Sequence, residues 1–242
     1  MCALLVLLAA VTMAAGTAPK NGEDLIREMH QRYAGKWYRT LTFVQKTTYP
    51  DGHVETWFEA VKLPGFLSID IAPLDSGKAI HFRNDTLYNV ERGQVQPGRP
   101  FVHPLLVLGF DVYFDPAERT IDKLKALKFD LTKLRTDTWQ GKPVYVVGAD
   151  KGDDRSAQFW IDQESLLFVR LLRPTPSGGV SEAQFNKYQK AGNTWIAPEV
   201  LFFQDGKPGN REEYGDVRTG VGLDATLFDP AKWGRAGWIK GS

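Results

Sequence analysis

Four histidines, His30, His53, His81 and His103, are the side chains of this sequence best suited to binding a metal or carrying a proton near neutral pH. Each stands in a different local context. None has a second histidine or a cysteine at metal-ligand spacing, which argues against a zinc site. Carboxylates offer acid/base chemistry where two converge, and Glu55 with Glu59 and Glu212 with Glu213 are pairs close in sequence. Both pairs fall in stretches that read as strands, where they are expected to face solvent. Asp111 follows an apolar run and reads as a polar helix end. The nucleophile elbow G-x-S-x-G, the phosphate loop G-x-x-x-x-G-K-[ST] and the G-x-G-x-x-G turn after a strand are all missing. No residue is assigned a catalytic or metal-binding role, and binding is the expected activity.

With 30 basic and 29 acidic side chains the formal net charge is +1, so no global field attracts nucleic acid or an anionic membrane. A hydrophobic fraction of 43% over 242 residues is enough for one sizeable core. Residues Ala3 to Ala15 form an apolar run that ends in small residues before Gly16-Thr17-Ala18-Pro19, which reads as a signal peptide cleaved after Ala15 or Ala18. No basic residue precedes Leu4, a departure from the usual positive start. Roughly 13 apolar residues fall short of the ~20 that a spanning helix needs. Export to the periplasm is expected, with residues 1–18 removed and 19–242 forming a single domain. Cys2, the one cysteine, precedes the apolar run, so it cannot be a lipid-attachment site at the end of this signal. The mature domain then has no thiol and relies on packing for stability.

The residues that remain must be placed by a framework, and turn residues mark it out. Asn21 is a plausible N-cap for a helix with Leu25, Ile26, Met29 and Tyr33 on one face, ended by Gly35. From Trp37 onward, β-branched and aromatic runs alternate with turns: Tyr38 to Tyr49, Val54 to Leu63, Phe66 to Ile71, Ala79 to Arg83 and Thr86 to Glu91. Strands resume with Phe129 to Trp139, Val144 to Ala149, Ala157 to Asp162 and Leu166 to Arg173, then Glu182 to Lys190, Trp195 to Gln204 and Glu212 to Val217. About eleven or twelve strands joined by short turns pair antiparallel, and so many must curl to avoid a flat sheet with exposed edges. The expected fold is mainly β (α+β), an incomplete antiparallel barrel with helices closing its concave face. Several strands are apolar on both faces, Leu166 to Leu172 among them, so both sheet surfaces should be covered.

Between the two strand groups, Phe101 to Phe114 reads as a helix too apolar to face water. Asp115-Pro116-Ala117-Glu118 then reads as a capping box that opens an amphipathic helix through Ala126. The apolar segment suits a lid that fills a cavity and withdraws when an acyl chain enters. Burying a chain of about sixteen carbons is worth on the order of 12 kcal/mol gross, at ~0.8 kcal/mol per methylene. A self-filling lid lowers that net affinity and permits release.

Phe43-Val44-Gln45-Lys46, Glu59-Ala60-Val61-Lys62-Leu63-Pro64 and Asn84-Asp85-Thr86-Leu87-Tyr88 resemble, in order and spacing, the N-terminal half of the periplasmic lipoprotein carrier LolA. Phe159-Trp160-Ile161-Asp162 with Leu166 and Arg170, and Leu227-Phe228-Asp229-Pro230, are similar to the wider set of LolA-like lipoprotein-sorting proteins. The resemblance covers about residues 22 to 232 and implies a half-barrel that shelters the acyl chains of lipoproteins or lipids, with no cofactor. It further implies a monomer that takes its cargo from an inner-membrane exporter and passes it to an outer-membrane acceptor. The related anchored acceptor LolB would need a lipidated N-terminus, which no cysteine after the signal provides. One position departs: LolA has an arginine before that proline, where it helps hold the lid, and here it is Leu63. Control of the lid is left open by that difference.

The expected ligand-binding residues are Trp37, Leu41 and Phe43 from one side of the first strand, Trp57 from the second, and Phe101, Leu105, Leu108 and Val112 from the lid. Tyr38, Thr40, Thr42 and Lys46 take the opposite side. Two other readings compete with a carrier: a regulatory module that senses lipoproteins or a membrane partner, and an enzyme acting on an apolar small molecule.

Overall fold

The computed structural model describes residues 18–233; apart from Ala18, the expected signal segment lies outside the described residues. The first helix, α1 (Gly22–Tyr33), begins where an Asn21 side-chain oxygen accepts the Asp24 N–H at 2.9 Å. That bond satisfies one orphan amide of the first turn, and Glu23 and Asp24 oppose the positive end of the helix dipole. Leu25, Ile26, Met29 and Tyr33 form its buried face. Gly35, at φ 70°, turns the chain away.

A meander follows: β1 (Thr40–Thr48), β2 (Val54–Lys62), β3 (Phe66–Ile71), β4 (Lys78–Arg83) and β5 (Thr86–Glu91), then the two-residue strands β6 (Gln94–Val95) and β7 (Arg99–Pro100). The chain next crosses the sheet through α2 (Pro104–Gly109), a 3-10 turn (Asp111–Tyr113) and α3 (Ala117–Ala126). The second group comprises β8 (Leu134–Trp139), β9 (Lys142–Val147), β10 (Gln158–Asp162), β11 (Phe168–Pro174) and β12 (Val180–Asn186). It ends with β13 (Gln189–Ala191), β14 (Thr194–Ile196), β15 (Glu199–Gln204) and β16 (Lys207–Thr219).

Fourteen of these strands form one antiparallel sheet in the order β6-β5-β4-β3-β2-β1-β16-β15-β12-β11-β10-β9-β8, with β7 also on β5, while β13 and β14 pair separately. The two halves are joined by β1 and β16, which pair Gln45 with Tyr214 and Thr47 with Glu212. The outer strands β6 and β8 do not pair with each other, so the barrel stays open, and the three helices lie across its concave face. This is the expected half-barrel.

Several boundaries differ from expectation, for local reasons. Sixteen strands stand where about eleven or twelve were expected, four of them only two or three residues long. The stretch expected as one strand from Glu182 to Lys190 breaks at Lys187, whose φ is 58°. The stretch from Trp195 to Gln204 breaks before Pro198, which has no N–H for a ladder. Conversely β16 runs 13 residues, because it has partners on both sides, β15 and β1. The apolar segment is helical only from Pro104, with His103 capping it. Asp115 does not cap α3, because Pro116 occupies the N-cap position and moves Asp115 out of reach of the first amides; its carboxylate instead faces Arg119 at 3.3 Å.

One continuous core lies between the helices and the concave face, with Leu25, Ile26, Met29, Leu108, Val112 and Leu124 fully buried. The opposite face is covered by different means. Arg170 lies 4.2 Å from the Trp139 ring centre and 4.6 Å from that of Trp160, with its Nε donating to Glu182 at 2.6 Å. Over the other half, the C-terminal turns bring Phe228 onto Phe66, and the Trp233 indole donates to Asp70 at 3.0 Å. Sheet faces that were apolar on both sides thus meet helices on one side and cation-aromatic stacking or the C-terminal segment on the other.

Candidate functional site

Strand alternation places every second side chain on the concave face, and register aligns those side chains from strand to strand. Phe43 and Gln45 of β1 stand opposite Glu59 and Trp57 of β2, and Glu59 in turn stands opposite Ile69 of β3. Together with Ile80 and Phe82 of β4, Phe202 of β15, and Glu212 and Tyr214 of β16, they form one wall of a cavity of about 320 Å³. His103, Leu105, Leu106 and Phe110 of the lid, with Phe185 of β12, form the other wall.

The lid is held at both ends. At its start the Phe101 N–H donates to Asp85 O at 2.8 Å, and within the lid the Leu106 N–H donates to His103 Nδ1 at 3.2 Å. At its end the Gly65 N–H donates to Asp111 Oδ1 at 3.0 Å, tying the lid to the turn that follows Leu63-Pro64. Where position 63 is leucine, the contact to this turn is made from the lid side, between a backbone donor and a carboxyl. Burial lifts that carboxyl to about 7, against the pull of the Gly65 N–H. Gly109 lies close over Phe185, where an added Cβ would come within 2.8 Å of the ring.

Of the residues expected to bind ligand, the structure brings Phe43, Trp57 and Leu105 together on the cavity. Trp57 is fixed at one edge by donating to Glu55 Oε2 at 2.8 Å. Trp37 stacks on Tyr113 with ring centres 4.1 Å apart, deep in the helix–sheet core, and Leu41 is fully buried in the same core. Leu108 and Val112 also point into that core. Phe101 packs beside the cavity, 5.9 Å from Phe82 and 5.8 Å from His103 between ring centres. Tyr38 is buried as well as Trp37, since β1 begins only at Thr40 and alternation does not apply before it.

Sequence reasoning missed the polar part of this wall. Glu59 is 5% exposed rather than solvent-facing, and Glu212 lines the same cavity from β16, pairing with Thr47 of β1 where Glu59 pairs with Phe43. Trp57-x-Glu59-x-Val61 was a usable signal, because alternation puts Glu59 wherever Trp57 goes. Burial, with the nearby Glu212 charge added, holds Glu59 well above the usual carboxylate range. Burial also raises Glu212 to about 7, although the Tyr214 hydroxyl, 3.0 Å away, and the Gln45 amide favour its charged form. Folding therefore keeps a proton on Glu212 that the unfolded chain has lost from about pH 4.5 upward, so this contribution is present at low pH and lost as pH rises through about 7. His81 and His103, held near 4 by burial against an ordinary 6.5, act in the opposite sense, adding stability as pH rises from about 4 to about 6.5. A comparison of variants removes that background: Glu212→Gln should gain about 2 kcal/mol relative to the parent on going from about pH 5 to about pH 8. Urea unfolding at the two pH values measures it, and a parallel pH dependence in both proteins would refute the assignment.

A second, more polar groove of about 760 Å³ lies on the other side of Phe185, with Arg32, Lys36, Trp139 and Trp195 at its margins. Two of its lysines are engaged, Lys187 with Glu199 at 2.8 Å and Lys190 at 4.0 Å over Trp195. Among the described residues no three potential metal ligands converge, and no helix is long and apolar enough to cross a membrane.

No family model and no curated protein matches the chain. Solved structures do. A DUF1329 family protein from Desulfovibrio piger superposes with a TM-score of 0.57 at 15% identity, over 86% of this chain and 95% of that one. A domain described as an outer membrane lipoprotein-sorting protein, from Vibrio parahaemolyticus, gives 0.57 at 14% identity, over 87% and 97%. A LolA superfamily protein from Nitrosomonas europaea gives 0.53 at 12% identity, over 86% and 97%.

Proposed function

Because the chain has a LolA-like fold, we propose that it is a periplasmic binding protein that shelters the acyl chains of lipoproteins or lipids on their way to the outer membrane. The observation that carries this reading is the cavity between lid and sheet, walled by Phe43, Trp57, Ile69, Phe82, Leu105 and Phe110. At about 320 Å³ it lies at the lower end of the ~300–1,000 Å³ typical of ligand sites, enough for part of one chain. A longer or second chain needs the lid to move, and α2 is only six residues long, with the polar ties of the segment lying before and after it: Phe101 to Asp85, Asp111 to Gly65 and Tyr113 to Phe168. Lid withdrawal exposes apolar area at ~25 cal/mol per Å², which offsets part of the ligand's burial energy and favours release. Donor and acceptor at the two membranes belong to the same reading.

The test is native mass spectrometry on protein purified without detergent from the periplasm of its own host. A copurifying lipid or acylated peptide, regained after delipidation by adding a fluorescent acyl probe, is the expected result. A ligand-free protein that takes up no such probe overturns the carrier reading.

A further inference from the structure

We propose that Glu59 and Glu212 make the sheet wall of this cavity a recognition site for a protonated amine carried by an otherwise apolar ligand, an inference that rests on the acyl-binding reading. Glu59 is 5% exposed, faces the cavity and has no hydrogen-bond partner among the described residues. Glu212 lines the same cavity from β16, where it pairs with Thr47, four residues further along β1 than Phe43, the partner of Glu59; one of its oxygens accepts the Tyr214 hydroxyl at 3.0 Å. The side-chain amide of Gln45, between them, donates to Thr47 Oγ1 at 2.8 Å and also serves Glu212, leaving Glu59 unserved.

No lysine or arginine lines the cavity, and its histidine, His103, has Nδ1 engaged by the lid backbone. The two acids therefore have no countercharge within the wall. An ammonium group supplies what they lack, a point charge with three donors, and its charge favours release of the protons that burial keeps on the two carboxyls. The rings of Phe43 and Tyr214, 4.4 Å apart, and of Trp57 add faces that attract a cation. The alkyl part of such a ligand then points toward Leu105 and Phe110. A fatty acid of the same length places an anion in an apolar wall that has no cation to pair with it, and a fatty alcohol makes at most one of the bonds.

Displacement of a fluorescent acyl probe by dodecylamine, dodecanol and dodecanoate tests this. The amine is expected to displace the probe at about one tenth of the concentration needed for the alcohol, with the carboxylate weakest. In the Glu59→Gln/Glu212→Gln variant the amine-to-alcohol ratio should fall to about two or less; the single Glu212→Gln variant, at the less buried position, should show a partial fall if the double variant does not fold. Equal amine and alcohol affinity in the parent, or a preference that survives in the variants, overturns the inference and leaves the acyl-binding reading standing. Failure of all three compounds to displace a bound probe overturns the inference, and failure of the probe itself to bind overturns both.

Discussion

Tyr113→Ala is expected to lower the unfolding free energy by about 3–5 kcal/mol, the range for removing a large aromatic side chain from a packed core. Tyr113 is 1% exposed and sits where the three parts of the molecule meet. Its ring lies 4.1 Å from that of Trp37 and 5.2 Å from that of Tyr33 at the end of α1. Its hydroxyl accepts the Phe168 N–H of β11 at 2.8 Å. Removing the side chain opens a void between helix, lid and sheet and also strands a buried backbone donor. Tyr113→Phe isolates the second effect and should cost about 1–3 kcal/mol. Denaturant unfolding reads both, and a loss below about 1.5 kcal/mol for the alanine variant would show that the lid does not depend on this residue.

The second large effect is on binding. Leu105→Asp places a carboxylate on the lid wall of the cavity, opposite Glu59 and Glu212, and is expected to weaken acyl-probe binding about ten- to a hundredfold. Leu105 is only partly buried, so the variant should still fold. Leu108, one turn further along α2, is fully buried in the main core, and Leu108→Asp should fail to give a folded protein at all. The pair separates a cavity-lining position from a core position three residues away. Unchanged probe affinity in a folded Leu105→Asp protein would remove the lid from the binding site.

How far these positions were legible beforehand varies with the range of the interaction that places them. Strand limits from Val54 to Glu91 come within a residue or so of expectation, because Asp51-Gly52, Pro64-Gly65 and Asn84-Asp85 set local turns that need no distant partner. The helix at Leu25 to Tyr33 was readable for the same reason, from its cap and its apolar stripe. The lid was legible as an apolar segment but not in its helical extent, which depends on where His103 and Pro104 begin the first turn.

Within the cavity, Phe43 and Trp57 followed from alternation. Glu59 was within reach of the same rule but was read as an exposed carboxylate. Glu212 was not, because it enters the cavity only through the pairing of β16 with β1, a contact between chain segments some 165 residues apart. Nothing in the sequence near Glu212 distinguishes its facing from that of Glu213, since a one-residue slip in that register exchanges the two.

By itself, then, the sequence determined what is local: the opening helix, the turns, the antiparallel meanders, the apolar character of the lid and the absence of familiar catalytic motifs. Tertiary structure alone decided which strand lies beside β1, that the barrel stays open between β6 and β8, and that two carboxyls share an apolar wall beneath a lid tied by Asp111 to Gly65. The physical reason is that turns and caps are satisfied by neighbours in the chain, whereas register, cavity and buried charge exist only once distant strands have bonded and excluded water.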